Sequence, residues 1–128
     1  MITLNFSGLS FPNFDTFSRT DAMALLYKKE ATMWRKVGKT EVIMDNLSPK
    51  WISNFDVQYQ FEKREAYRVD VYHVEDFDNL DNLPAQKIVG SLEFVLHEVV
   101  TARNATLVKD LERDGGTSAK IQITADEH

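Results

Sequence analysis

Apolar and polar residues alternate along several stretches of this chain. The clearest alternation places Phe55, Val57, Tyr59 and Phe61 between Asp56, Gln58 and Gln60. A period of two predicts a half-buried β-strand. Similar alternation and short apolar runs predict seven further strands, at 2–6, 23–27, 35–43, 67–73, 88–96, 106–111 and 119–124. Eight short strands without a long helical pattern favour an all-β fold, an antiparallel β-sandwich.

Polar and turn-forming segments separate the predicted strands. The segment 45–49 ends the strand at 35–43, because Asp and Asn adopt turn geometry and Pro cannot donate to a sheet. The longest such segment, 75–86, predicts a loop. The segment from Lys28 to Trp34 predicts a turn, and one turn of helix is expected near 97–100.

The composition is that of one ordinary globular domain. The 128 residues are 43% hydrophobic and 27% charged, which excludes a disordered tail and is enough to form one core. The chain has no apolar run of about eighteen residues and no signal peptide, so a cytoplasmic domain spanning 1–128 is expected. The absence of cysteine excludes disulfides, thiolate metal sites and cysteine nucleophiles.

Charge is segregated along the chain, although the net charge is only −5. The segment 28–39 contains five bases, Lys28, Lys29, Arg35, Lys36 and Lys39, against the single acid Glu30. The segment 75–81 contains four acids, Glu75, Asp76, Asp78 and Asp81, and no base. The acidic total argues against nucleic acid as a partner. The basic segment is interpreted either as a solvated strand face or as a surface attracted to anionic lipid.

A short polar loop near the N-terminus carries candidate ligand residues. Asp15 and Asp21 lie at its two ends, with Phe17 near its tip and Arg19 beside Phe17. Loops on a rigid sheet are where binding residues gather, but Asp is also favoured in ordinary turns. Both interpretations of the two aspartates stay open on this loop alone.

Several motifs follow one another along the chain in a fixed order. They are Asp-Thr-Phe-Ser-x-x-Asp at 15–21, Gly-Lys-Thr-Glu-Val-Ile at 38–43, Asn-Leu-Ser-Pro-Lys-Trp at 46–51 and Val-Asp-Val-Tyr at 69–72. Together they resemble the C2 domain, and more narrowly the first C2 domain of the copine family. The resemblance implies an eight-stranded sandwich of type II topology that is one part of a longer multidomain protein. It also implies that the connections 9–20, 44–54 and 75–87 gather at one end, where aspartates bind calcium ions.

The resemblance places calcium ligands at Asp15 and Asp21, but the acidic segment departs from the family pattern. Where the family has Val-Tyr-Asp-x-Asp, this chain reads Val-Tyr-His-Val-Glu at 71–75. Glu75 keeps a hard oxygen, whereas His73 is a poor calcium ligand. A hydrogen-bonded packing role is the alternative interpretation of this histidine.

Lys87 stands where the resemblance implies a third aspartate, which reverses the charge at that position. An ammonium group projecting into the site would neutralise carboxylates much as a calcium ion does. Alternatively, the Lys87 side chain extends into solvent along its flexible stem. In that case the displaced acids Asp76, Asp78 and Asp81 are the candidates to supply the missing oxygens.

The resemblance implies a non-enzymatic module that attaches a larger protein to anionic phospholipid. Its expected place is the cytoplasmic side of the plasma membrane, in signalling or membrane trafficking. Phe17, Arg19 and Lys87 are the expected membrane contacts, and the basic segment 28–39 supplies electrostatic attraction. With a degenerate site, no cofactor is required and calcium dependence is expected to be weak or absent. Two alternatives stay open: docking to a protein or to another part of the same chain, and fully calcium-dependent lipid binding.

Overall fold

The computed structural model of this chain describes residues 1–13, 19–60, 63–113 and 119–127. It contains the strands β1 (Ile2–Leu9), β2 (Ala22–Glu30), β3 (Met33–Lys39), β4 (Lys50–Val57), β5 (Ala66–His73), β6 (Lys87–Val95), β7 (Thr106–Asp110) and β8 (Lys120–Glu127). The short helix α1 (Leu96–Thr101) and two 3-10 turns, Leu83–Ala85 and Arg103–Ala105, accompany them. None of the helices in these ranges has the length and hydropathy needed to span a bilayer. The predicted all-β fold of eight strands is confirmed.

The strands form two antiparallel sheets of four strands each. One sheet has the order β4-β1-β8-β7 and the other has the order β3-β2-β5-β6. In the first sheet Ile2 of β1 pairs with Val57 of β4 on one side and with Glu127 of β8 on the other. The central strands of the second sheet are β2 and β5, which pair from Ala22 to Lys28. The two sheets make the antiparallel sandwich that the alternation predicts.

The hydrophobic core lies between the two sheets. Along β1, the side chains of Ile2, Leu4 and Phe6 are buried while the residues between them are partly exposed. The ring of Phe6 makes edge-to-face contacts with Phe55 and Phe94, at centroid distances of 5.9 and 6.3 Å. Burial of each such side chain contributes about 1.5–3 kcal/mol to folding. The alternate apolar side chains of a strand therefore hold the two sheets together.

The strand predicted at 55–61 lies earlier in the chain than expected. β4 begins at Lys50 and ends at Val57. Val57 pairs with the first residue of β1, so no neighbouring strand continues the ladder beyond that point. Tyr59 has therefore left the strand, and residues 61–62 lie outside the described part of the chain.

The turn predicted at 28–34 is much shorter. β2 continues to Glu30 and β3 begins at Met33, so only two residues form the turn. Lys28 pairs with Arg35 inside the ladder. The basic residues of this segment therefore lie on strands, where alternation sends them to different faces of the sheet.

β3 ends earlier than the predicted strand 35–43. The hydroxyl of Thr40 accepts an N–H group of β2 at 2.9 Å. The carboxylate of Glu41 accepts the N–H groups of Ile52 and Ser53 in β4, at 2.6 and 3.2 Å. Main-chain pairing with β2 is still present at Thr40 and Ile43, and the side-chain bonds of Thr40 and Glu41 direct the chain from one sheet to the other.

Three connections lie at one end of the sandwich. They are loop 1 (10–21) after β1, loop 2 (40–49) after β3 and loop 3 (74–86) after β5. Ala22, the first residue of β2, pairs with His73, the last residue of β5, and His73 pairs with Lys87 at the start of β6. The N–H of Asn46 donates to the carbonyl of Thr20 at 3.0 Å, which joins loop 2 to loop 1.

Candidate functional site

Asp21 connects the three loops at this end of the sandwich. Asp21 is 8% exposed, and its Oδ1 accepts the N–H of Asp45 in loop 2 at 2.8 Å. The N–H of Asp21 donates to Nδ1 of His73 at 3.1 Å. Its carbonyl accepts the N–H of Val74 in loop 3 at 2.8 Å. This predicted calcium ligand therefore anchors the loop end through hydrogen bonds within the protein.

His73 lies at the end of β5 with 4% of its surface exposed. Because its Nδ1 accepts a main-chain N–H, the proton of the neutral ring belongs on Nε2. The buried ring joins loop 1 to the strand that leads into loop 3. The structure therefore gives His73 a packing and hydrogen-bonding role.

Asp45 is a second acid at this junction and was not among the predicted site residues. Its backbone has a φ of 54°, a left-handed conformation that Asp adopts more readily than most residues. Its Oδ1 accepts the N–H of Arg19 at 2.5 Å, so loops 1 and 2 exchange carboxylate contacts. The turn composition of 45–49 was the only sequence signal for this role.

Gln86 organises loop 3 from its buried position before β6. Its Oε1 accepts the N–H groups of Glu75 and Asp76 at 2.7 and 3.0 Å. Its Nε2 donates to the carbonyls of Asp76 and Asn79 at 3.1 and 3.2 Å. These four bonds tie both ends of the loop together. No spacing rule in the sequence distinguished this glutamine.

Glu75 and Asp76, in the first half of loop 3, have partners within the loop or at its end. Oδ1 of Asp76 accepts the N–H groups of Asp78 and Asn79 at 3.1 and 3.3 Å. Oε1 of Glu75 lies 3.3 Å from Nζ of Lys87, and both side chains are about half exposed. The Lys87 ammonium thus pairs with one of the predicted ligands at the solvent boundary.

Asp81 contacts the strand β3. One oxygen, Oδ1, lies 3.1 Å from Nζ of Lys39 and 3.5 Å from Nζ of Lys36. The hydrogen bond from Lys39, together with the charges of Lys39 and Lys36, holds the pKa of Asp81 below its usual value. This carboxylate faces the basic segment, away from the contacts of Asp21.

The acids in the described ranges do not fit a calcium site. Within those ranges, no group of three or more His, Cys, Asp or Glu side chains is placed to hold a metal ion. Calcium takes about six to eight oxygen ligands, whereas Asp21, Asp45 and Asp76 each direct an oxygen at main-chain N–H groups. Asp15 and Phe17 lie outside the described residues.

The basic segment 28–39 does not form one continuous surface. The ammonium of Lys28 lies 3.2 Å from the carboxylate of Glu65, whose side chain is only 8% exposed. Arg35, opposite Lys28 in the ladder, pairs with Glu30 at 2.7 Å. Two of the five bases in the segment, Lys28 and Arg35, are therefore paired with neighbouring acids.

The other three bases of the segment, Lys29, Lys36 and Lys39, lie on the outer face of the second sheet. Lys39 is opposite Leu25 and Lys36 is opposite Tyr27, and both partners contact a small apolar cluster outside the main core. The ammonium of Lys29 lies 5.8 Å from the ring of Trp34. This outer face therefore combines cations with aromatic surface.

Loop 3 covers part of the same outer face. Leu80 and Leu83 pack against the small cluster formed by Met23, Leu25 and Val74. The segment 75–86 is a loop with one 3-10 turn, as the sequence predicted, and its apolar residues cover part of the sheet. Its apolar residues at 80 and 83 flank Asp81 and fix the position of that acid.

Among the described residues, loop 2, loop 3 and the start of β6 each carry an exposed apolar side chain. Met44 in loop 2 is 65% exposed, Phe77 in loop 3 is 47% exposed, and Ile88 at the start of β6 is 47% exposed. The exposed residues Arg19 and Lys87 belong to the same end. Large apolar side chains that stay in water near cations are typical of membrane-contacting surfaces. None of the three was singled out from the sequence.

Comparison with known proteins gives similarity over most of the chain. The C2 domain profile matches residues 6–111. Protein BONZAI 2 of Arabidopsis thaliana is 35% identical over 128 residues, covering 94% of this chain and 22% of the relative. Nicotinic receptor-associated protein 1 of Caenorhabditis elegans is 27% identical, covering 93% of this chain and 21% of the relative. The chain thus spans about a fifth of the length of these relatives.

Solved structures of C2 domains share the fold. A C2 domain of plant Extended Synaptotagmin 1 has a TM-score of 0.72 at 15% identity, covering 99% of this chain and 94% of that chain. The calcium-bound pair of C2 domains of Extended-Synaptotagmin 2 gives a TM-score of 0.62 at 18% identity, covering 97% of this chain and 44% of that chain. At these identities the likeness concerns the fold. With the profile match over 6–111 and the two four-stranded sheets, the chain belongs to the C2 domain family.

Proposed function

We propose that this C2 domain attaches a larger protein to anionic phospholipid membranes through its loop end, with little or no dependence on calcium. The observation that carries the proposal is the exposure of Phe77 and Met44 at the end that also carries Arg19 and Lys87. Apolar side chains enter the interfacial region of a bilayer, while cations are attracted to anionic headgroups. One end of the molecule thus carries both parts of a membrane contact.

The independence from calcium is supported by the partners of the acids. Asp21 accepts a main-chain N–H, and Glu75 pairs with the half-exposed Lys87 ammonium, so both carboxylates already have partners within the chain. An ammonium beside the carboxylate lowers the local negative charge that would repel lipid phosphates. Calcium is therefore not required for this surface to approach an anionic bilayer.

The setting of the domain is part of the same proposal. The motifs of this chain resemble the first C2 domain of copines. This chain aligns with only 22% and 21% of the two relatives, which supports a role as one module of a larger protein. We place that protein at the cytoplasmic side of the plasma membrane, in signalling or membrane trafficking. The module itself contributes attachment and no catalysis.

Co-sedimentation with vesicles tests the proposal. The purified domain is expected to pellet with vesicles of phosphatidylcholine and phosphatidylserine, and not with phosphatidylcholine alone, whether calcium or a chelator is present. The double variant Met44→Ser/Phe77→Ser should weaken binding by roughly tenfold, because two apolar side chains no longer enter the interface. Met33→Ser is the matched control, since Met33 is 73% exposed but lies at the β2–β3 turn, outside the loop end.

Three results would contradict the proposal in different ways. Pelleting only with calcium would favour fully calcium-dependent binding. Pelleting with neither lipid mixture would favour the docking alternative. An equal loss of binding for Met33→Ser and for the loop variant would show that the loop end is not the contact surface.

A further inference from the structure

Loop 3 combines two separate contacts with the outer face of the second sheet. The first is apolar: Leu80 and Leu83 cover Met23 and Leu25. The second is ionic, and it joins Asp81 to β3. Because the leucines lie on both sides of Asp81 along the chain, burial of the leucines fixes where the carboxylate points. The four hydrogen bonds of Gln86 hold the remainder of the loop in the same folded position.

The ionic contact has an uneven charge balance. A single oxygen of Asp81 faces the ammonium groups of both Lys36 and Lys39, at 3.5 and 3.1 Å. Two positive charges thus share one negative charge, and the two lysine side chains keep 43% and 34% of their surface exposed. An anion from outside can therefore reach the lysines, and it meets an acid that already occupies the space between them.

We propose that Asp81 is an internal competitor that occupies Lys36 and Lys39, two lysines of the basic outer face, against anions from outside. Loop 3 then restrains the attraction of this face to an anionic lipid surface, an inference that rests on the membrane attachment proposed above. The phosphate group of a lipid is the chemical species that replaces the Asp81 carboxylate. A tethered acid competes through a high effective concentration, whereas a membrane competes by offering many phosphates at once.

The exposure of this contact sets the size of the expected effect. Ion pairs in water are weak and are screened by salt. Competition by Asp81 is therefore expected to change the affinity of the domain for anionic lipid severalfold. It is not expected to change the fold. It also decreases when salt concentration rises, because the same screening acts on the lysines and on the competitor.

The test compares Asp81→Asn with Asp78→Asn, which makes the same charge change in the same loop. Asp78 is exposed, and its side chain has no hydrogen bond or ion pair within the described part of the chain. In chelator, Asp81→Asn should raise binding to phosphatidylserine-containing vesicles by about two- to fivefold relative to Asp78→Asn. In a Lys36→Gln/Lys39→Gln background, the difference between the two variants should disappear. Equal melting temperatures of the two variants would show that the fold is retained.

The outcomes separate this inference from the proposed function. If the wild type binds vesicles but Asp81→Asn matches Asp78→Asn, the competitor role is overturned and membrane attachment stands. A difference that persists without the two lysines also overturns it. If no variant pellets, membrane attachment is overturned, and titration with inorganic phosphate decides the competitor role. Backbone amide shifts of residues 36 and 39 should then saturate at lower phosphate in Asp81→Asn than in Asp78→Asn, and equal titrations would reject the competitor role.

Discussion

Asp21 and Asp81 both hold one loop against another part of the chain, but they do so in different surroundings. Asp21 is 8% exposed and accepts a main-chain N–H, whereas the Asp81 side chain is 69% exposed and faces two ammonium groups. Loss of a buried acceptor leaves an N–H without a partner, whereas loss of an exposed ion pair is compensated by water. Burial therefore separates an acid that stabilises the fold from one that adjusts the surface.

The largest expected effect is at the buried acid. Asp21→Ala removes the acceptor for the N–H of Asp45 and should lower the free energy of unfolding by about 1.5–3 kcal/mol, the range for a hydrogen bond to a charged group. Urea denaturation followed by fluorescence measures this change. Asp21→Asn is the matched control, because its amide oxygen still accepts the bond and should retain most of the stability. Equal losses in both variants would mean that charge, and not the hydrogen bond, is what the junction needs.

A smaller effect is expected at Gln86, whose bonds are shared with partly exposed main chain. Gln86→Ala should lower the free energy of unfolding by about 1–2 kcal/mol, since water can replace some of the lost partners. Hydrogen exchange at the amides of Glu75 and Asp76 should become faster. Gln58→Ala, at an exposed position after β4, should change neither quantity. Unchanged exchange in loop 3 would contradict the organising role of Gln86.

The smallest expected effect on the free energy of unfolding is at Glu41. This acid is less buried than Asp21 but has more hydrogen bonds from the protein than Asp81. Burial acts against its ionisation, but hydrogen bonds from the Ser53 hydroxyl and from the N–H groups of Ile52 and Ser53 outweigh burial and hold the pKa of Glu41 below its usual value of 4.5. A lowered folded pKa means that the ionised form stabilises the fold above the unfolded value. That contribution is lost as pH falls through the folded pKa.

The corresponding measurement is the difference in unfolding free energy between wild type and Glu41→Gln. It should be under about 1 kcal/mol at neutral pH and should approach zero well below pH 4.5. Urea denaturation at a series of pH values gives this difference directly. A difference that stays constant across the series would show that the pKa of Glu41 is the same in the folded and unfolded states.

Local alternation was sufficient to predict the strands but not their exact ends. β1 and β5 follow the period of two because their alternate residues fill the core. The shift of β4 to 50–57 depends on where β1 begins, and the early end of β3 depends on the Thr40 and Glu41 side chains. Contacts between segments that are distant in the sequence thus decide where β4 lies and where β3 ends. The periodicity of one segment does not reveal which segment it pairs with.

The loop end was predicted only in part. The resemblance to C2 domains implied that the three connections gather at one end, and Asp21, Glu75 and Lys87 lie at that end in the structure. The ion pair between Lys39 and Asp81 joins residues 42 positions apart, and no local spacing predicts it. Met44 and Phe77 were missed because exposure depends on the folded loop, whereas an isolated apolar residue in a sequence is equally compatible with burial.

The carboxylate of Glu41 also affects how molecules of this protein meet one another. β4 is the outermost strand of its sheet, and it carries Ile52 with 87% of its surface exposed. An open strand edge with free N–H groups and an apolar side chain is a template for pairing with the edge of another molecule. Because Glu41 occupies the N–H groups of Ile52 and Ser53 and adds negative charge there, it protects this edge from intermolecular strand addition and aggregation.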